Sequence, residues 1–349
     1  MNKGRKSRQP GLFDAEFRLR KLDGIGDPLQ KLSKGINWER FRPLLDRGFA
    51  KDDPAKGPGG RPPYDNMLRF KILVLQSLYN LADDAMEFQL NDRRTFQRFI
   101  GLDDNDAVPD AKTLWLWRET LTHNGTMEKL FNKFWKVLEE DGIKANSGSI
   151  IDATFVDAPR QRNSHDENDE IKNGKIPEDW QKPDKEAKLR QKDIDARWAK
   201  KNDETHYGYK NHIKIDKKTK LIKKSIITDA SVHDSQAIAD LLDKSDMGKA
   251  IYADSAYSGQ DQINKIRKQK ALPRVCEKGY RNRALTKTQQ KRNRNLSRTR
   301  ARVEHVFGFM TMSMGGLYVR SIGFLRAAAQ IVLKNLAYNM RRYCVLAKI

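Results

Sequence analysis

The strongest hydrophobic rhythm in the chain is helical. In "YDNMLRFKILVLQSLYNL", Met67, Leu68, Phe70, Ile72, Leu73, Leu75 and Leu78 make most faces of a 3.6-residue turn apolar, which predicts a buried helix. "DDAMEFQLND" and "RRTFQRFIGL" predict two short helices after it, the second closed by Gly101 at a C-cap position. "PDAKTLWLWRETL" and "TMEKLFNKFWKVLEEDG" add two amphipathic helices, whose Trp115, Trp117, Phe131, Phe134 and Trp135 read as core rather than ligand contacts. After Gly148 the period changes to two. "GSIIDATFVDAP" predicts a strand, "HIKID" and "LIKKSIIT" flank Lys217–Lys220 as a hairpin, and "KAIYAD" and "KALPRVC" predict further strands. "DSQAIADLLDK", with Asp234 as N-cap, predicts a helix, as do "LSRTRARVEHVFGFM" and "FLRAAAQIVLKNLAYNMRRY". The order strand, strand, strand, helix, strand, helix, strand, helix predicts an α/β fold, a mixed sheet covered by helices.

Two stretches lack either period. Residues 1–60 are basic and run into "DPAKGPGGRPP", which reads as a flexible segment and linker. Residues 160–204 are dense in charge and poor in aliphatics, so they read as a solvent-exposed insertion between the first two strands, partly disordered without a partner. The expected organisation is therefore 1–60 flexible, 61–145 helical, and 146–349 a mixed α/β domain carrying the insertion. Arg93, Arg94 and Arg98 on the short helices suggest a helix-turn-helix-like DNA-binding module; a plain three-helix cluster is the other reading.

Charge narrows the partners. Lys and Arg total 68 against 46 Asp and Glu, a net +22, and such an excess points to a polyanion, with nucleic acid the default. No apolar run approaches the roughly 18 residues of a membrane span, and the basic N-terminus lacks the apolar core of a signal peptide. Two cysteines, Cys276 and Cys344, cannot build a disulfide framework or a cysteine-rich zinc site. A cytoplasmic, nucleoid-associated protein is expected.

The candidate chemistry begins with an anomaly. Asp is depleted in strand interiors, because its charge is costly to bury, yet Asp152 sits at the centre of a predicted strand. Asp254 ends a second strand and Glu304 lies on a predicted helix. Carboxylates from three rigid elements offer the hard oxygen donors that two Mg2+ (or Mn2+) ions require, and the metal would neutralise them near a core. Each also has a plain reading: Asp152 facing solvent, Asp254 capping a turn, Glu304 pairing with Arg300.

The strings "IDATFVDAPRQRN", "HYGYKNHIKID", "YADSAYSG" and "SRTRARVEHVFG", in that order, resemble the DDE transposases of bacterial insertion sequences, specifically insertion sequence family five. "GRPPYDNMLRFKILVLQSLYNLADDAMEFQLNDRRTFQRFIGL" resembles that family's N-terminal domain, and the resemblance spans most of residues 60–345. It implies a ribonuclease-H-like catalytic domain with Asp152, Asp254 and Glu304 as the triad. It also implies binding to the terminal inverted repeats of an insertion sequence, cleavage of phosphodiester bonds and joining of 3′ ends to target DNA, in a homodimer or higher oligomer on double-stranded DNA. The wider family pattern places Tyr three residues before Arg300 and Lys seven after Glu304; here those positions are Ser297 and Thr311, so substrate contacts differ. A transposase-derived DNA-binding regulator without catalysis is the alternative.

The run from Glu277 to His305 carries Arg292, Arg294, Arg298, Arg300 and Arg302 with little acidic relief, and reads as a track for the DNA backbone. His206 and Lys210 are expected to reach phosphate near the triad. His206 and His212, six residues apart, offer zinc only a weak alternative without a third ligand. Tyr280 and Trp198, among basic residues, are candidates for stacking on bases.

Overall fold

The computed structural model describes residues 11, 13–50, 63–103, 106–201, 203–281 and 283–348. Its first half is a sheaf of helices: α1 (Asp14–Ile25), α2 (Pro28–Gly35), α3 (Arg42–Phe49), α4 (Asn66–Tyr79), α5 (Asp83–Asp92), α6 (Arg94–Ile100), α7 (Ala111–His123) and α8 (Thr126–Glu140). α4 starts where Asp65 accepts hydrogen bonds from the Met67 and Leu68 amides, and stops at Asn80 in the left-handed region. Between those caps Phe70, Ile72, Leu73, Val74 and Leu75 are fully buried. Such side chains contribute about 1.5–3 kcal/mol each.

Residues 14–49 differ from the flexible segment expected of them. Leu29 and Leu32 of α2, which packs on α6 and α14, and Trp38, Phe41 and Leu45, in and before α3, which packs on α4 and α8, are buried, so α2 and α3 join the same core; α1 forms without joining it. The linker "DPAKGPGGRPP" falls almost wholly on residues 51–62, outside the described residues. Trp115 is a second difference: it is 43% exposed, whereas Trp117, Phe131 and Phe134 are core.

The second half supplies β1 (Ser149–Asp157), α9 (His165–Lys172), α10 (Glu186–Arg190), β2 (Arg197–Lys201), β3 (Glu204–Asp216), β4 (Ile222–Asp229), α11 (Ile238–Leu241), β5 (Ala250–Ala253), α12 (Gln260–Lys268), β6 (Leu272–Val275), α13 (Lys287–Met312) and α14 (Phe324–Leu346). β1 is central, with β3 antiparallel on one side and β5, then β6, parallel on the other; β4 and β2 share the far edge of β3. The order β4-β3-β1-β5-β6, with β3 alone reversed, is the ribonuclease-H-like mixed sheet. Gly208 sits where the edge partner of β3 changes from β2 to β4. Its φ is +147°, and a Cβ there would stand 2.4 Å from the Val156 carbonyl oxygen, so only glycine fits.

The insertion is folded, contrary to expectation. Trp180 is fully buried and its indole N–H donates to Glu167, itself half of a capping box with Ser164, while β2 adds a strand to the sheet. Asp234 does not cap a long helix. His233 is the cap of a 3-10 turn, Asp234–Ala237, that leads into the short α11.

One hydrophobic cluster runs from α2 through α8 to the sheet face under α13 and α14; Ile151, Ile238, Ile251, Tyr257 and Ile266 form a second on the opposite face. Among the described residues, no helix is long and apolar enough to cross a membrane.

Candidate active site

Asp152 lies mid-β1 opposite Ile213, and alternation puts its side chain on the face of Ile150, toward α13. One carboxylate oxygen accepts from the Ala153 amide at 2.9 Å, the other from Arg300 Nη1 at 2.7 Å. Burial, and to a lesser degree the negative charge of Asp254, push its pKa up to about 6, against the pull of the Ala153 amide and Arg300. Asp254 directly follows β5. The parallel register pairs Ser149 with Ile251 and Ile150 with Tyr252, and continuing it sets Asp254 beside Asp152. Asp254 also accepts from the Ala256 amide at 2.9 Å, so it caps a turn, and its charge reaches Asp152.

α13 lies across β1 and β5, seated by Val303, Val306 and Met310. Arg300 and Glu304, one turn apart, are thereby carried over the strand ends. Arg300 Nη2 donates to Glu304 Oε1 at 2.9 Å, so one guanidinium bridges Asp152 and Glu304. Among the described residues no three His, Cys, Asp or Glu side chains stand close enough together to hold a metal ion. The donors nonetheless fit a hard divalent cation in kind: all are carboxylate oxygens, and Asp152 is a largely buried acid whose pKa is raised chiefly by burial. Arg300 supplies positive charge beside it in this arrangement.

The remaining predicted contacts separate into two groups. Arg294, Arg298 and Arg302 recur every fourth residue on α13 and are exposed, with Arg302 also donating to the Lys217 carbonyl at 2.8 Å. Arg292 pairs with Glu277 at 3.2 Å. This half of α13 precedes its first buried residue, Val303, so the arginines lie along its exposed part, Arg294 and Arg298 before Arg300 and Arg302 just past it. His206 and Lys210 are elsewhere. They share the sheet face of Phe155 and Asp157, opposite to Asp152: His206 stacks on Phe155 at 4.1 Å and meets Asp157 at 3.1 Å, and Lys210 donates to the Val232 carbonyl at 2.7 Å beside Asp234. The period-two pattern fixes parity, and it sets both residues on the face away from Asp152. His212 shares their face, fully buried, with Nε2 on Thr228 Oγ1 at 2.9 Å.

In the helical half, Arg98 forms a two-pronged pair with Asp23 at 2.8 Å, and Arg93 lies over the rings of Tyr79 and Phe96. The α5–α6 junction at Arg93 is a turn between two short helices, and Phe96, Phe99 and Ile100 of α6 are buried. Tyr280 is 65% exposed; Trp198 packs on Tyr207 beneath Arg160. Lys201, assigned no role from sequence, lies near enough to Asp152 to pull its pKa down. No local pattern marks it, because the pairing of β2 with β3 is what brings it there.

Two comparisons bear on this geometry. Residues 144–340 match the family described as Transposase DDE domain, and residues 17–120 match the family described as Transposase domain (DUF772). Among solved structures, the chain is similar to the piggyBac transposase synaptic complex with hairpin DNA, at 12% identity, covering 94% of this chain and 77% of that one with a TM-score of 0.47.

Proposed function

Because this chain belongs to the transposase DDE domain family, whose match covers residues 144–340, we propose that it cuts DNA at the ends of a mobile element and joins those ends to target DNA. The observation that supports this is the parallel register of β1 and β5, which when continued brings Asp254, just past β5, opposite Asp152, with Glu304 tied to Asp152 through Arg300. Asp152, Asp254 and Glu304 would hold Mg2+ or Mn2+, two ions being the expected number; when bound, they neutralise charge developing on the phosphate oxygens. In cutting, water adds to phosphorus and the bond to the 3′ oxygen breaks, leaving a 3′ hydroxyl and a 5′ phosphate. In joining, that hydroxyl gives up its proton and its oxygen attacks a target phosphorus, displacing another 3′ oxygen.

The chain's own contribution is placement. Arg294, Arg298 and Arg302 on α13 would hold backbone phosphates in line with the carboxylates, and Arg300 would leave the carboxylates for a phosphate oxygen. Recognition of terminal inverted repeats would fall to residues 1–145, and Arg93 and Arg98 would have to release their present partners to take part in it. Action on two ends implies at least a homodimer on DNA. A DNA-binding regulator without catalysis is the second reading, favoured by the closure of Asp152 and Glu304 around Arg300.

One assay separates the two. Asp152→Asn, Asp254→Asn and Glu304→Gln should each lower nicking of end-containing DNA by at least ~100-fold while leaving binding largely intact. Chelation should stop the wild type, with Mg2+ or Mn2+ restoring it. Nicking retained by a purified triple variant, or restored by zinc alone, would remove the carboxylate site.

A further inference from the structure

The helical sheaf and the sheet meet at a cavity of about 610 Å3. Its floor is Val156 on β1 and Asn211 on β3, and its walls come from α4, α5, α7 and residues 317–334. Val156 alternates onto the same face of β1 as Asp152, four residues away, which is about 13 Å at roughly 3.3 Å per residue. Two of its ion pairs are internally complete: Arg118 grips Asp83 with both nitrogens at 2.6 and 2.8 Å, and Arg326 meets Glu119 at 2.7 Å.

Three other lining groups are not complete. Lys334 is 8% exposed, and its one hydrogen bond among the described residues is to the Met314 carbonyl at 2.9 Å. An ammonium has three donors, so two remain unspent. Arg320 donates to Asn80 at 3.1 Å and lies over Tyr318, with no carboxylate in ion-pair contact among the described residues. Ser321 Oγ is buried and has no partner among the described residues. Burial, reinforced by the Arg320 charge, pushes the Lys334 ammonium down to about 8, the behaviour of a cation enclosed without an anion. Two cations and a hydroxyl donor line one cavity, Lys334 and the Ser321 hydroxyl buried and Arg320 exposed, and they match the charge and the acceptor oxygens of a phosphate.

We propose that this cavity is a phosphate seat, in which Lys334, Arg320 and Ser321 hold one phosphate of a DNA strand that also crosses the carboxylates. The seat rests on the transposase reading for the source of its phosphate, and on the cavity alone for its chemistry. Lys334 lies on α14 and Arg320 and Ser321 just before it, while α4, α5 and α7 wall the same cavity, so an occupied seat lies where the helical region meets the sheet.

The test uses the full chain and a blunt-ended duplex, with the binding constant measured against salt concentration. Lys334→Met and Arg320→Gln should each flatten the slope of log K against log salt by about 0.9, the value for one phosphate contact. The double variant should flatten it no further, since both cations serve the same phosphate. The other source of the ligand is free phosphate, probed by the Trp115-dependent fluorescence of the wild type, with Trp115→Phe subtracted. A phosphate-induced change lost in Lys334→Met, with salt slopes unaltered, would establish the seat but assign it to free phosphate. Unaltered slopes together with no fluorescence response would overturn the proposal. Should Lys334→Met fail to fold, Arg320→Gln carries the same comparison, because Arg320 is exposed and its loss leaves the core intact. Failure here is distinct from failure of the transposase reading, since nicking by the wild type and its loss in Asp152→Asn do not depend on these residues.

Discussion

A residue's neighbours decide what its charge does, and His212 shows how much that is worth. It is fully buried, and burial lowers its pKa from 6.5 to about 4, with Lys210 adding to the shift and Asp234 opposing it. Below pH 6.5 the unfolded chain takes up a proton that the folded chain refuses until about pH 4. Stability from this residue is therefore complete above pH 6.5 and falls as pH drops toward 4. The full effect is about 3 kcal/mol. His212→Gln should flatten the pH dependence of stability across that window relative to wild type, measured by urea unfolding at each pH. Parallel profiles for the two proteins would show that the imidazole titrates normally. The same residue illustrates a limit on sequence reading: the strand period puts His206, Lys210 and His212 on one face, but nothing local says that Asp152 takes the other.

At the scale of elements, β3 is the decisive piece. It is long enough to pair with β1 along one edge while serving β2 and β4 in turn along the other. The change of partner happens at Gly208, whose backbone approaches Val156 too closely for any side chain. Gly208→Ala should cost more than ~2 kcal/mol, from the positive φ and the clash with backbone together. A loss below ~0.5 kcal/mol in denaturant titration would show that the strand can shift to admit a Cβ. α13 makes the complementary point. Its buried residues begin only at Val303, so its basic first half owes its helical form to the Thr286–Gln289 capping box and to anchoring by Glu277, which bonds Gln289 and Asn293.

For the whole molecule, the division between helical and α/β halves is one of sequence pattern more than of packing. α14 lies against α4 and α8 as well as β4, and Val332, Leu336 and Met340 belong to the same cluster as Phe70, Leu75 and Phe134. Cutting the chain at residue 145 would strip that cover from the helical half. Denaturant unfolding of the full chain should therefore show one transition, reported alike by tryptophan fluorescence, weighted to the helical half, and by far-ultraviolet circular dichroism. The fragment 1–145 should bind a hydrophobic dye. Two separated transitions, or a fragment with a sharp transition of its own, would show that the halves fold apart.

The sequence alone determined the parts whose signal is local. The periods in 66–140 and after Gly148 located α4 to α8, β1, the β3–β4 hairpin, β5, β6, α13 and α14, because a buried face leaves its repeat in the chain. An acid in an apolar strand marked Asp152, since nothing in strand propensity accounts for it. What the sequence left undecided depends on contacts between distant segments. α2 and α3 escaped because their apolar residues are sparse among charges and become core only when α4, α6, α8 and α14 are present. The insertion escaped because its few buried residues, among them Ile171, Trp180, Asp193 and Ala196, are scattered among charges and leave no repeat. Tertiary structure alone also set Arg300 between Asp152 and Glu304, turned Lys210 toward Asp234, and enclosed Lys334 and Ser321 in one cavity. Those placements follow from which faces of the sheet and helices meet, and that is a property of the packed whole.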